Sequence, residues 1–161
     1  MSQMHDLLQN IADRGLKLGS VESMTGGLFA ARATEVPGAS QVFKGAIVSY
    51  SNEVKEKLLG IEPELLERYG AVSEKVAKEM ALYGLDKLGV DVVLAVTGNA
   101  GPTAEPGDAE VGQVYFSLAT RSGIWTFGYR FEGERNEIRE QAVEMMVSFG
   151  LSMFPKVETN L

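Results

Sequence analysis

The chain has 161 residues, 45% hydrophobic and 23% charged, the balance of one globular domain with a sizeable core. A formal net charge of -7 argues against broad attraction to nucleic acid or an anionic membrane, although a local pocket can still take a small anion. The absence of cysteine excludes disulfides and thiolate zinc sites and fits a reducing cytoplasm.

In chain order, Met1 to Asp6 lack the basic and apolar regions of a signal peptide, and no apolar run is long enough to span a bilayer. Residues 4–14 place Leu7, Leu8, Ile11 and Ala12 at helical spacing, closed by Gly15. Residues 16–22 read as a short strand. Gly26-Gly27 and the apolar run 28–31 open a helix that ends before Pro37-Gly38, so Ser23 sits at the corner of a strand, tight turn and helix. Residues 43–50 form the next strand. Asn52 is the expected N-cap of a short helix over 53–58 that stops at Gly60, and Pro63 starts another helical turn.

Ser73 caps a helix over 74–88 whose expected buried face is Val76, Met80, Leu82 and Leu85. The continuous apolar run 91–97 suits a central strand buried on both sides, and Gly98 to Pro102 break it. The acidic, Pro/Gly-rich stretch 103–110 reads as an exposed loop. Residues 112–120 and 124–131 form a hairpin, and a last helix over 135–154 turns Ile138, Ala142, Met145, Met146 and Phe149 inward. The tail after Pro155 is expected to fray. With no repeat or linker, the chain reads as a single domain over 1–161: an α/β fold, a three-layer α/β/α sandwich with a mixed, mostly parallel central sheet.

Ligands in such folds bind at the carboxyl ends of strands. Three polar, glycine-bearing turns fall there: 22–27, 49–55 and 97–102. The only histidine, His5, lies in the first helix, so a hydrolase built from this inventory needs another base. A serine activated by a lysine is the most economical choice. Ser23 is the candidate nucleophile, with N–H groups of Thr25, Gly26 and Gly27 facing a phosphate or an oxyanion; Ser23 or Thr25 as a plain helix cap is the competing role. Lys55, in the first turn of its helix, is exposed to a dipole that lowers its pKa and suits a general base. Tyr50 can relay the proton or orient the amine. A solvated surface lysine beside Lys57 is the alternative. Arg135 and Arg139, one helical turn apart, can hold a phosphate or pair with Glu132, Glu134 or Glu140. No Walker loop, dinucleotide fingerprint, zinc-protease motif or metal cluster is present in the sequence, so neither a metal nor a cofactor is expected.

Four segments, Glu22-Ser23-x-Thr25-Gly26-Gly27, Gly45 with Ser49-Tyr50-Ser51-Asn52-x-x-Lys55, Gly70-Ala71-Val72-Ser73, and Thr97-Gly98-x-Ala100-Gly101-Pro102, resemble the C-terminal domain of the competence/damage-inducible protein CinA in order and spacing. The resemblance runs from about residue 7 to residue 154. It implies a metal-independent amidohydrolase, as in stand-alone nicotinamide-nucleotide amidases, which convert nicotinamide mononucleotide (NMN) and water to nicotinate mononucleotide and ammonia. By position, Ser23 corresponds to the nucleophile, Lys55 to the base and Tyr50 to its partner. Thr97, Gly98, Asn99, Ala100 and Gly101, with Arg135 or Arg139, are expected to hold the ribose and phosphate. Met24 stands where many members have Cys, Thr97 where some have Ser, and Glu134 within a late Gly-Asp/Asn-Arg segment. The expected partner is a small pyridine mononucleotide, not nucleic acid or membrane, and exposed apolar residues on the terminal helices suit self-association. The competing reading is a non-catalytic nucleotide-binding or protein-interaction module in competence or DNA-damage responses.

Overall fold

Val92–Gly98, the central strand β3, has every residue but the last buried, because both of its faces are covered. Val92, Leu94 and Val96 belong to one apolar cluster, and Val93 and Ala95 to the other. That alternation is what a period-two side-chain pattern produces when helices lie on both sides of a sheet. The structure, a computed structural model, describes residues 2–158; of the tail after Pro155, residues 159–161 lie outside that range.

Before β3 come α1 (Gln3–Ala12), β1 (Leu18–Glu22), α2 (Leu28–Thr34), β2 (Phe43–Val48), the single turn α3 (Asn52–Val54), α4 (Pro63–Tyr69) and α5 (Glu74–Leu88). After it come β4 (Gln113–Thr120), β5 (Gly123–Arg130) and α6 (Arg135–Met153). The sheet order is β2-β1-β3-β4-β5. β1 pairs in parallel with β2 and β3, whereas β3–β4 and β4–β5 are antiparallel. Four strands therefore point the same way and β4 alone runs against them. Helices α1, α2 and α6 pack on one face around Phe29, Phe116 and Met146, and α4 and α5 cover the other around Leu66, Val76 and Met80.

Helix α5 carries its Ser73 cap, with the hydroxyl accepting from the Val76 N–H at 3.2 Å. Its buried face is Val76, Ala77, Met80, Ala81 and Gly84, and Leu82 is exposed, contrary to the expected apolar stripe. The small residues are the contact face because the helix lies close to the sheet: a Cβ added at Gly84 would stand 2.6 Å from Val21 Cγ2 and 3.1 Å from Val93 Cγ1. Gly84→Ala is thus expected to destabilise the protein by about 1–2 kcal/mol, overpacking (~1–3 kcal/mol) outweighing the gain in helix propensity (~1 kcal/mol). A thermal melt beside wild type checks it, and an unchanged or raised midpoint would contradict the close approach.

Two differences bear on the site. Ser51, not Asn52, caps α3, accepting from the Val54 N–H at 3.2 Å. The helix then widens into a π turn over Lys55–Leu59 before stopping at Gly60, which has a φ of 83°. Such widened turns recur at functional sites because they re-aim a side chain.

Candidate active site

The carboxyl ends of the parallel strands β1, β2 and β3 bring Ser23, Ser49 to Lys55, and Gly98 to Gly101 to one end of the sheet. Ser23 leaves β1 still tied to β3, its N–H donating to Val96 O at 3.1 Å. The π turn carries Lys55 back under β2. Its side chain is wholly buried, and Nζ lies 2.9 Å from Ser23 Oγ, 2.6 Å from Ser49 O and 3.4 Å from Tyr50 O. Among the described residues no carboxylate pairs with it. Desolvation therefore lowers its pKa from 10.5 to about 8. The cause is burial and not the dipole expected from the helix, since α3 is a single turn.

The two carbonyls can only accept, so they take two N–H bonds from the amine. In the neutral form the remaining direction is a lone pair, and it faces the Ser23 hydroxyl. This arrangement can draw off the serine proton.

Tyr50 contributes its main-chain carbonyl to this cluster, and its phenol goes elsewhere. The side chain is 61% exposed, and its hydroxyl accepts from Arg135 Nη2 at 3.1 Å. Arg135 also donates through Nη1 to Gly101 O. Tyr50 and Arg135 thus bridge the rim above the buried pair. The structure does not bring the Tyr50 hydroxyl to Lys55.

Glu22, the last residue of β1, stands in the first polar turn and the first family-like segment of the sequence without an assigned role, and it organises the Ser23 turn. Its carboxyl group is fully buried and accepts from Thr25 Oγ1 at 2.7 Å, Ser20 Oγ at 3.3 Å and the N–H groups of Gly27, Phe29 and Ala30 at 3.2, 3.0 and 3.1 Å. The start of α2 is therefore filled by the protein's own carboxyl group. The Gly26 N–H donates to Ser23 O at 3.1 Å. Gly26 and Gly27, expected as oxyanion or phosphate donors, have both N–H groups engaged in this way. Their φ values of 61° and 98° require glycine for the turn itself. A signal for Glu22 existed: an acidic residue ending an apolar strand must collect donors if it is buried. Glu22→Ala is expected to lower stability by at least about 3 kcal/mol, because it leaves several buried donors unmade. Urea unfolding measures this, and a loss below about 1 kcal/mol would contradict the anchoring role.

The β3 end is also more structural than expected. Thr97 is buried, and its hydroxyl donates to Ala71 O at 2.8 Å, tying β3 to the segment before α5. Asn99 organises the following loop. Its Oδ1 accepts from Gly101 N–H at 2.9 Å, and its Nδ2 donates to Ala109 O at 2.9 Å and Thr103 O at 3.4 Å. Ala100 is buried. Gly98 is kept small by β4, since a Cβ there would meet Val114 Cγ2 at 2.7 Å. Beside these groups lies an open cleft of about 410 Å³ lined by Asn52, Tyr69, Gly70, Asn99, Thr103 and Asp108. Part of the expected exposed loop over 103–110 thus forms its wall. Arg139, expected with Arg135 to hold a phosphate, bonds the serine turn and its own helix. Its Nε donates to Met24 O and its Nη2 to Thr25 O, both at 2.9 Å, and its Nη1 donates to Asn136 Oδ1 at 3.0 Å.

Among the described residues no helix is long and apolar enough to cross a membrane.

Comparison with known proteins places the chain in a family. The family model described as the CinA C-terminal domain matches residues 2–153. A CinA-like protein of Geobacter sulfurreducens is 49% identical over 127 residues, 79% of this chain and 31% of that protein. A CinA-like protein of Desulfotalea psychrophila is 42% identical over 136 residues, 84% of this chain and 33% of that protein. The chain thus spans about a third of the length of these relatives. The solved structure of a competence-damaged protein (CinA) superfamily protein from Escherichia coli superposes with a TM-score of 0.90 at 30% identity, covering 94% of this chain and 88% of that one. A competence/damage inducible protein of Agrobacterium tumefaciens gives 0.86 at 31% identity, covering 95% of this chain and 96% of that one. With a family model matching residues 2–153, and with sequence identity and superposition in agreement, this chain belongs to the CinA C-terminal domain family.

Proposed function

We propose that this protein is a cytoplasmic amidohydrolase that cleaves the carboxamide of nicotinamide mononucleotide, using Ser23 as nucleophile and Lys55 as general base. The observation that carries the reading is the 2.9 Å contact between Ser23 Oγ and the Nζ of a fully buried lysine with no ionic partner among the described residues. A hydroxyl is a weak nucleophile until a neighbouring base takes its proton, and burial lowers the pKa of this amine to about 8, so that a fraction of it is neutral near pH 7 and more above it.

The chemistry follows from the geometry. Neutral Lys55 accepts the Ser23 proton as Oγ bonds to the carboxamide carbon. Main-chain N–H groups of the Ser23 turn receive the charge on the carbonyl oxygen. The lysine ammonium then protonates the leaving nitrogen, the C–N bond breaks, and ammonia departs from the nicotinoyl ester. Water attacks the ester with Lys55 again as base, releasing the acid and restoring Ser23. The cleft beside Asn52 and Asn99 is within the size range that suits a small ligand. Arg135, exposed at the rim, is the candidate phosphate ligand.

The test is ammonia release from NMN by purified protein, with the Ser23→Ala variant as blank. Binding of NMN without turnover would instead favour a nucleotide-binding module.

A further inference from the structure

The two sides of the Ser23 turn are held by opposite groups. Glu22 collects donors from the start of α2, and Arg139 of α6 collects acceptors, the carbonyls of Met24 and Thr25. The turn itself is closed by Gly26 N–H on Ser23 O and Leu28 N–H on Thr25 O, each 3.1 Å. These bonds leave two main-chain donors at the nucleophile, the N–H groups of Met24 and Thr25, with no acceptor among the described residues. The Thr25 N–H belongs to the same peptide unit as Met24 O. A guanidinium bonded to that oxygen draws charge through the amide and makes the N–H a stronger donor, because hydrogen bonds in a chain polarise one another. Arg139 is also packed against the turn: a Cβ at Gly26 would lie 3.4 Å from its Nη2.

We infer that Arg139 is a positioning residue for the oxyanion hole: it fixes and polarises the Met24–Thr25 peptide, so that the Thr25 N–H, with that of Met24, receives the oxyanion. This rests on the Ser23 nucleophile of the proposed amidase and replaces a phosphate-binding role for Arg139. Lysine is not an equivalent replacement, since Arg139 reaches the two carbonyls with two separate nitrogens, Nε and Nη2, of a rigid planar guanidinium, whereas an ammonium offers one nitrogen and no delocalised plane.

The experiment compares Arg139→Met and Arg139→Lys with wild type in NMN turnover. In parallel it follows labelling of Ser23 by a fluorophosphonate, in which the Oγ–P bond forms, P–F breaks, fluoride leaves and Lys55 takes the proton. Both variants should lose roughly ten- to a hundredfold in kcat, less than the loss of a whole oxyanion donor, and KM for NMN should stay within about twofold. The labelling rate should fall by a similar factor. In a third variant, Arg139→Ala, added guanidinium should restore part of the kcat, and ethylammonium should not. A raised KM with kcat retained would overturn the inference in favour of a phosphate ligand, and wild-type kcat in Arg139→Lys would overturn it as well. A wild-type protein that labels at Ser23 but releases no ammonia from NMN removes the substrate reading alone, and the ratio of labelling rates then decides the role of Arg139. A wild-type Ser23 that does not label overturns the inference.

Discussion

Ser23→Ala is expected to release no ammonia from NMN above the uncatalysed rate, a loss of roughly 10³-fold or more in kcat. The magnitude follows from the mechanism. Among the described residues the only groups within hydrogen-bond reach of the Lys55 amine are the Ser23 hydroxyl and two carbonyls, and carbonyls have no proton to give. Without Oγ there is no acyl enzyme, and Lys55 has no nucleophile to activate apart from water. Folding should survive, since Ser23 Oγ bonds nothing but Lys55 among the described residues. A melting curve near that of wild type, together with lost turnover, separates chemistry from unfolding. Substantial ammonia release by Ser23→Ala would rule out the acyl-enzyme route.

Lys55→Met is expected to lose about 10²- to 10⁴-fold in kcat, the range typical of general-base catalysis, with NMN binding largely kept. In the wild type, kcat/KM should rise with pH through about 8, where the buried amine gives up its proton. Near pH 7 only about a tenth of the molecules carry the neutral base. The same shift makes a stability statement. Between about 8 and 10.5 the unfolded lysine binds more proton than the folded one, so wild-type stability gains with pH across that window. Below it both states are protonated and the buried charge destabilises the fold in full, an effect on the order of 3 kcal/mol. Urea unfolding of wild type and Lys55→Met should therefore show their difference moving in favour of wild type from pH 7 to pH 10. A difference that stays flat would mean that Lys55 is not held near neutrality by burial, and full turnover by the variant would remove the dyad.

The sequence was most legible where one strong local signal agreed with the packing. Helix α5 has its expected bounds because Ser73 offers a hydroxyl to an open N–H and Gly89 ends the run. The strand, turn and helix around Ser23 follow from two glycines after an apolar strand. Leu82 was misplaced because hydrophobicity favours large side chains, whereas a helix lying close to a sheet selects Gly84 and Ala81. The cap moved from Asn52 to Ser51 because adjacent residues of equal capping chemistry cannot be separated by composition. The π turn at Lys55 carries no local code, as it depends on where a long side chain can bury. Tyr50 illustrates a further limit: neighbourhood in sequence brought the right residue to the lysine, but its carbonyl rather than its phenol. Glu22 was missed because periodicity sorts apolar from polar and is silent on a carboxyl group satisfied entirely by main chain.

The hairpin joining β4 and β5 lies at the opposite end of the sheet from the serine turn. Gly98 at the site end pairs with Val114, while Val92 at the far end pairs with Thr120, where the chain turns through Arg121 and Ser122. At ~3.3 Å per residue, the strands separate that tip from the chemistry by roughly 20 Å. It is also exposed. A dye, an affinity handle or a surface tether attached there would leave the Ser23–Lys55 pair undisturbed. The same separation lets the tip diverge in sequence without consequence for the reaction end of the fold.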